Sequence, residues 1–290
     1  MKAPTIETLA TGFGLLEGPV WNAGQGLLFA DADHGGVHCL TREGEVQLVV
    51  PHRRGIGGMV LHAEGGLVVS GRNIAFKGPG DEPTRVLLEN DPDQGIVGFN
   101  DITTDPAGRV YAGSLGFLPT KKGDPPRPGA LHIIELDGTS RRLAEGVMLT
   151  NGLGFSPCGQ KLYHADSGDR TIHVYDVASD GSVSGRTPFA HTPEGLPDGL
   201  AIAQDGSVWA AVAHAGFVIV LEPDGSVRSR IHFPLPMVTS LCFGDDDLCS
   251  LYVVSGPEGS ESERGGSVFK LRVQTPGLPV PPARVALRRR

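Results

Sequence analysis

Residues 151–166 read NGLGFSPCGQKLYHAD, and residues 100–114 read NDITTDPAGRVYAGS. Both open on Asn, run through a short apolar stretch, turn on a polar segment with Gly eight positions after the Asn, and return through a second apolar stretch. This is the pattern of a β-hairpin: alternation puts one face of each strand into a core, and Gly supplies the positive φ that the turn needs. Two more stretches align with them without gaps, GGMVLHAEGGLVVSG at 57–71 and DGLAIAQDGSVWAAV at 198–212. The turn glycines are then Gly65, Gly108, Gly159 and Gly206. EGPVWNAGQGLLFAD at 17–31 fits with one extra turn residue, and TSLCFGDDDLCSLYVVS at 239–255 fits more loosely.

The first positions of these hairpins are Glu17, Gly57, Asn100, Asn151, Asp198 and Thr239, spaced 40 to 51 residues apart. Further strands are expected between them, at Val37–Leu40, Leu131–Leu136, Ile172–Asp176, Phe217–Leu221 and Val268–Val273. Six units with roughly four short strands each predict an all-β, six-bladed β-propeller filling residues 1–290 as one domain. The segment Thr5–Gly12 is expected to supply the outermost strand of the last blade. Segments 188–197 and 119–128 read as loops. Residues 275–290, ending in Arg288-Arg289-Arg290, read as a surface wrap or frayed end.

Composition agrees. Of the 290 residues, 42 are Gly and 23 are Pro, more than a fifth of the chain, which disfavours a helical bundle; hydrophobics remain at 39%, enough for a core. A net charge of −8 gives no attraction to nucleic acid or anionic lipid, and no apolar run reaches the ~18 residues of a membrane span. The opening residues lack a signal peptide's apolar stretch. The four cysteines form no CxxC and read as reduced thiols, so a cytoplasmic protein is expected.

The six anchors are equivalent under the repeat, so a propeller would place them at one end of its central channel. Two carboxylates and two amides there, with no Lys or Arg among the anchors, call for a neutralising cation. Hard oxygen donors suit Ca²⁺ first and Mg²⁺ or Mn²⁺ next; the absence of His and Cys argues against structural zinc, although Zn²⁺ stays in the set to be assayed. Singly, Asn151-Gly152 or Asp198-Gly199 reads as a turn pair. Four oxygen donors at one repeat-equivalent position do not.

These motifs resemble the senescence marker protein/gluconolactonase (regucalcin-like) family. The resemblance rests on Glu17-Gly-Pro-Val-Trp21, Asn100-Asp101 with TTDPAGRVYAGS, Thr150-Asn-Gly-Leu153, Pro197-Asp-Gly-Leu200 and Val238-Thr-Ser240, in the family's order. It implies Glu17, Asn151 and Asp198 as ligands of one divalent cation, with Asn100 beside it as ligand or substrate contact. It also implies hydrolysis of a lactone, with Asp198 as the candidate base.

Residues following each second strand should rim the pocket: Asp31–His34, Arg72-Asn73, Ser114–Phe117, Ser167–Asp169, His214 and Ser255–Glu258. Of these His214 is a candidate proton relay, while Arg72 and Phe117 are candidate substrate contacts, with packing as the competing role for Phe117. His164, within a strand, reads as structural. Family members with sugar-lactone substrates carry an Arg two residues before the blade-three Asn and a Gly after the Asn-Asp pair. Here those positions are Gly98 and Ile102. The missing guanidinium and the bulk of Ile102 predict a less polar lactone or ester, unless Arg72 reaches across. The other readings are phosphotriesterase-like or related chemistry on the same cation, and a non-catalytic propeller binding calcium or a small ligand. The expected partner is a small molecule; oligomeric state is not legible.

Overall fold

The computed structural model describes residues 5–80, 82–119, 121 and 123–287. It is a six-bladed β-propeller of four-stranded antiparallel sheets, its only other regular element a turn of 3₁₀ helix at Pro92–Gln94 among the described residues. The chain begins with β1 (Glu7–Phe13), then builds a sheet from β2 (Leu16–Asn22), β3 (Gly26–Asp31), β4 (Val37–Thr41) and β5 (Val46–Val50). The next is β6 (Met59–Leu61), β7 (Leu67–Val69), β8 (Ile74–Lys77) and β9 (Arg85–Leu88). It is followed by β10 (Gly98–Thr104), β11 (Val110–Leu115), β12 (Gly129–Ile134) and β13 (Ser140–Val147). Then come β14 (Thr150–Phe155), β15 (Lys161–Asp166), β16 (Thr171–Val177) and β17 (Val183–His191), and β18 (Leu196–Ile202), β19 (Val208–Ala213), β20 (Phe217–Leu221) and β21 (Val227–His232). The last sheet joins β22 (Val238–Gly244), β23 (Ser250–Ser255) and β24 (Gly266–Arg272) to β1, so the first strand of the chain lies outermost in the last blade, as expected.

Two compact units contain these sheets: Met1–Ile56 with Ala190–Pro279, and Gly57–Phe189 with Val280–Arg290. In the first, one core cluster packs Trp209, Phe243 and Phe269 between neighbouring blades, and a second gathers Phe13, Leu16, Phe29 and Tyr252. In the second, Phe76, Phe99 and Ile102 form one cluster, and Tyr111, Phe155 and Tyr175 another. Each such side chain contributes about 1.5–3 kcal/mol by leaving water. Second strands such as β3, β11 and β19 are buried throughout, whereas outer strands β13 and β21 are mostly exposed and carry Arg141, Arg142, Arg228 and Arg230, charges that guard a free edge. The turn glycines predicted from the repeat all have positive φ: Gly65 at 84°, Gly108 at 90°, Gly159 at 71° and Gly206 at 85°.

Two boundaries differ from expectation. Residues 188–191 belong to β17 and 196–197 to β18, so only 192–195 of the 188–197 segment form a loop: outer strands are exposed and carry little apolar signal. The tail is not a frayed end over its described length. In the first unit Gly277 bridges to Ala203. In the second, Ala283 bridges to His62, and Ala283 and Val285 are buried in the Phe76–Phe99 cluster. The short run of small and β-branched residues among prolines concealed this. Arg288–Arg290 lie outside the described residues.

Candidate functional site

Five of the six first strands are irregular at or next to the anchor. Along β2 three residues separate Glu17 from Val20, while their partners Ala30 and Leu28 on β3 lie two apart. The same single extra residue occurs between Phe99 and Ile102, between Thr150 and Leu153, between Pro197 and Leu200, and between Val238 and Ser240. Five blades therefore carry a β-bulge, a device that re-aims a side chain out of the sheet: Asn100, Asn151, Asp198 and Thr239 lie within it, and Glu17 pairs with Ala30 immediately before its own. The repeat identified the positions; the bulge was hidden in turn-like pairs such as Asn151-Gly152 and Asp198-Gly199.

In the second unit the anchors meet. Asn100 Nδ2 donates to the carbonyl of Thr150 at 2.8 Å and to Asn151 Oδ1 at 2.7 Å. Asn151 Nδ2 in turn donates to Ser167 Oγ at 2.8 Å. Asn151 is buried, and its Oδ1 retains a second lone pair. Asn100 Oδ1 lies over Gly57, where an added Cβ would stand 2.0 Å away. Gly57 is thus a cradle for a neighbour's amide. Beside it, the half-buried Asp101 carboxyl is raised to about 7 by loss of solvent, against a single N–H from Ile102 at 2.7 Å.

In the first unit Asp198 is buried on its bulge, and Glu17 is half-buried immediately before its own. Thr239 is not a spare donor. Its hydroxyl donates to the carbonyl of Leu16 at 2.5 Å, fixing the backbone immediately before Glu17. Gly199 leaves room for Ser240, whose Oγ would lie 2.0 Å from an added Cβ. In the first unit Glu17 and Asp198 carry carboxylate oxygens, and in the second Asn100 and Asn151 carry amide oxygens, donor types that suit hard divalent ions such as Ca²⁺.

The expected rim residues divide. Asp31 accepts the N–H groups of Gly14 and His34, at 3.0 and 2.9 Å. Burial works to raise its pKa, but these bonds and the nearby imidazole outweigh it and the net shift is downward. Asp166 likewise accepts from Met148 and Leu149, at 2.8 and 2.9 Å. Both carboxylates are engaged in closing turns. Arg72 is exposed and makes no ion pair among the described residues, and Phe117 is buried. His214 is half-exposed, with Nδ1 2.6 Å from Glu258 Oε2. His164 is buried within β15 with Nε2 2.6 Å from Thr150 Oγ1, and burial lowers its pKa to about 3. Ile102 does not add bulk to a pocket: it is buried in the Phe76–Phe99 cluster, because the bulge turns the chain back into the sheet before it.

One grouping escaped the sequence reading. Asp166, Asp169 and His173 bring possible ligand atoms within 4.8 Å of one another in the second unit, through a spacing that no repeat marks. The backbone bonds of Asp166 and the 3.3 Å contact between His173 Nε2 and Asp169 account for it as a turn closure. No helix of the described residues is long and apolar enough to cross a membrane, and all four cysteines are free.

A family model described as SMP-30/Gluconolactonase/LRE-like region matches residues 15–256. A pentonolactonase of Haloferax volcanii is 32% identical over 286 residues, covering 93% of this chain and 94% of its own. A 6-deoxy-6-sulfogluconolactonase of Pseudomonas putida is 33% identical over 278 residues, covering 91% and 93%. Among solved structures, a calcium-binding regucalcin of Agrobacterium tumefaciens superposes with a TM-score of 0.85 over 98% of this chain and 100% of its own, at 20% identity, a likeness of fold.

Proposed function

The chain belongs to the SMP-30/gluconolactonase/LRE-like family, and from that premise we propose that it hydrolyses a lactone or related ester with one bound divalent cation. Glu17, Asn151 and Asp198 would hold the ion, with Asn100 beside it. Ca²⁺ is the first candidate, on the hardness of the donors. The observation that carries this reading is the bulge repeated at the anchors, which lifts Asn151 and Asp198 out of their ladders and directly follows Glu17. The lactonases among the relatives support the reaction class.

When bound, the cation would polarise the carbonyl and lower the pKa of a water, the Lewis-acid part of the chemistry. The protein's own residues orient and move protons. The Asn100–Asn151–Ser167 chain of hydrogen bonds fixes the amide rotamers, so that the oxygens and not the nitrogens are presented. The Thr239 bond to Leu16 does the same for the backbone at Glu17. Preorganised dipoles of this kind favour charge that develops only in the transition state.

The finer reading is a lactone less polar than a sugar-acid lactone. It rests on Gly98 alone, since Ile102 faces the core. Arg72 works against it: a Cβ on Gly98 would stand 3.9 Å from the Arg72 Cα, so the Arg72 backbone lies beside the place of the missing guanidinium. The test is a panel of alkyl γ- and δ-lactones, pentonolactones and gluconolactone, assayed with chelated and reloaded protein and with Arg72→Met. Metal-dependent turnover, at least tenfold faster on the alkyl lactones and unmoved by Arg72→Met, is expected. A sugar-lactone preference that collapses in Arg72→Met would overturn the polarity reading, and no metal-dependent turnover anywhere would overturn the hydrolase.

A further inference from the structure

Resting on that reading, we infer that His214 and Glu258 form a built proton-transfer pair, with His214 as acceptor of the water's proton and Glu258 as its positioning residue. His214 follows β19, whose last residue, Ala213, pairs with Leu196, two residues before Asp198 on β18. It therefore stands at the same strand ends as the Asp198 bulge. Glu258 comes from the turn after β23, in the neighbouring blade. The 2.6 Å contact joins Nδ1 to the carboxylate; with the proton on Nδ1, Nε2 is the acceptor of the ring.

An exposed ion pair is ordinarily worth little, but these two side chains stand on pinned backbone. His214 has φ 64°, a left-handed conformation uncommon for a residue with a side chain. Its turn is held by the Gly216 N–H donating to the Pro236 carbonyl at 3.0 Å and by Phe233 N–H donating to the Gly216 carbonyl at 2.8 Å. The Glu258 turn is held against the same segment, with Gly256 N–H donating to the Met237 carbonyl at 2.8 Å. Gly259 lies so close to Pro236 that an added Cβ would stand 2.6 Å from its ring. One segment thus fixes both partners. The other charges on the elements packed around this turn are committed or set back: Glu194 takes Arg230 at 3.0 Å, the Arg230 guanidinium lies over Phe217, and Asp198 lies down the strand.

In the reaction, one O–H bond of the attacking water breaks and its proton passes to His214 Nε2 while the water oxygen bonds to the carbonyl carbon. Collapse breaks the ring C–O bond, and the leaving alkoxide takes the proton from Nε2. Lactone and water become the hydroxy acid with no other reactant. Glu258 accepts the Nδ1–H throughout, holding the tautomer and stabilising the imidazolium. Asp198 is then relieved of a role as base, for which a cation-bound carboxylate is poorly suited.

The test compares Glu258→Gln, Glu258→Ala, His214→Ala and the double variant His214→Ala/Glu258→Ala with wild type, for lactone hydrolysis against pH and for metal content. His214→Ala should lower kcat on the order of 10²-fold and Glu258→Gln about tenfold, with metal content and KM held. The double variant should be no worse than His214→Ala. Nitrogen-15 NMR of His214 gives an activity-independent readout: Nδ1 protonated in wild type, and a mixed tautomer in Glu258→Ala. An unmoved tautomer, or additive losses in the double variant, would overturn the pair while leaving the hydrolase in place. A wild type without hydrolysis would overturn both.

Discussion

The blade of β6–β9 and the blade of β14–β17 come from the same repeat, yet they treat its first position in opposite ways. In β14–β17 the chain bulges between Thr150 and Leu153, and Asn151 leaves the ladder. In β6–β9 the register is regular from Met59 to Leu61, the strand is three residues long, and the anchor is Gly57. The N–H groups of Gly57 and Gly58 both turn to Ser70 Oγ, at 3.1 and 2.9 Å. An added Cβ would meet Asn100 Oδ1 at 2.0 Å on Gly57 and Asp101 Oδ1 at 2.4 Å on Gly58. One blade presents a donor; the other makes room for a donor of its neighbour. A missing side chain in a repeat can therefore be as much part of a site as a present one.

The sharpest way to break this comparison is Gly57→Ala. The methyl group cannot coexist with the Asn100 amide, whose rotation would forfeit the bonds to Thr150 and Asn151, about 1 kcal/mol each. Activity should fall by a factor of ten or more, while the melting temperature drops only a few degrees. Full activity would show that Asn100 needs no cradle.

A smaller effect tests the buried histidines beneath the bulged blades. His132 Nε2 lies 2.9 Å from Ser114 Oγ, and burial, aided by Arg142, lowers its pKa to about 4. The unfolded chain binds this proton near pH 6.5 and the folded chain does not, so stability is greatest above pH 6.5 and falls as pH drops toward 4. Between pH 7 and 5 the loss from this group is about 2 kcal/mol, an upper bound. Denaturant unfolding of His132→Gln should show a shallower decline over that interval; an identical slope would remove His132 from the account.

Much of this was legible in the sequence, because a repeat forces equivalent residues into equivalent places. Gly65, Gly108, Gly159 and Gly206 announced the hairpin turns through a conformation that few other residues adopt. The meeting of the Asn100 and Asn151 anchors follows from the same equivalence. What stayed hidden depends on contacts between blades or on exposed strands. The pairing of Asn100 with Asn151 and the hydroxyl of Thr239 on Leu16 join residues dozens or hundreds of positions apart. The Glu258 partner of His214 lay among the rim residues without a role. Ile102 was misplaced because its neighbours at 100 and 101 form the bulge, which a simple alternation of faces does not anticipate.

Direct titration tests the proposal that Glu17, Asn151 and Asp198 hold one cation. Chelated protein titrated calorimetrically with Ca²⁺ should bind one ion per chain, with affinity at least tenfold weaker in Asp198→Asn and in Asn151→Ala, and unchanged in Asp169→Asn and His173→Ala. Unchanged binding in the first pair of variants, or binding lost in the second pair, would contradict the account and move the ion to the Asp166–Asp169–His173 cluster.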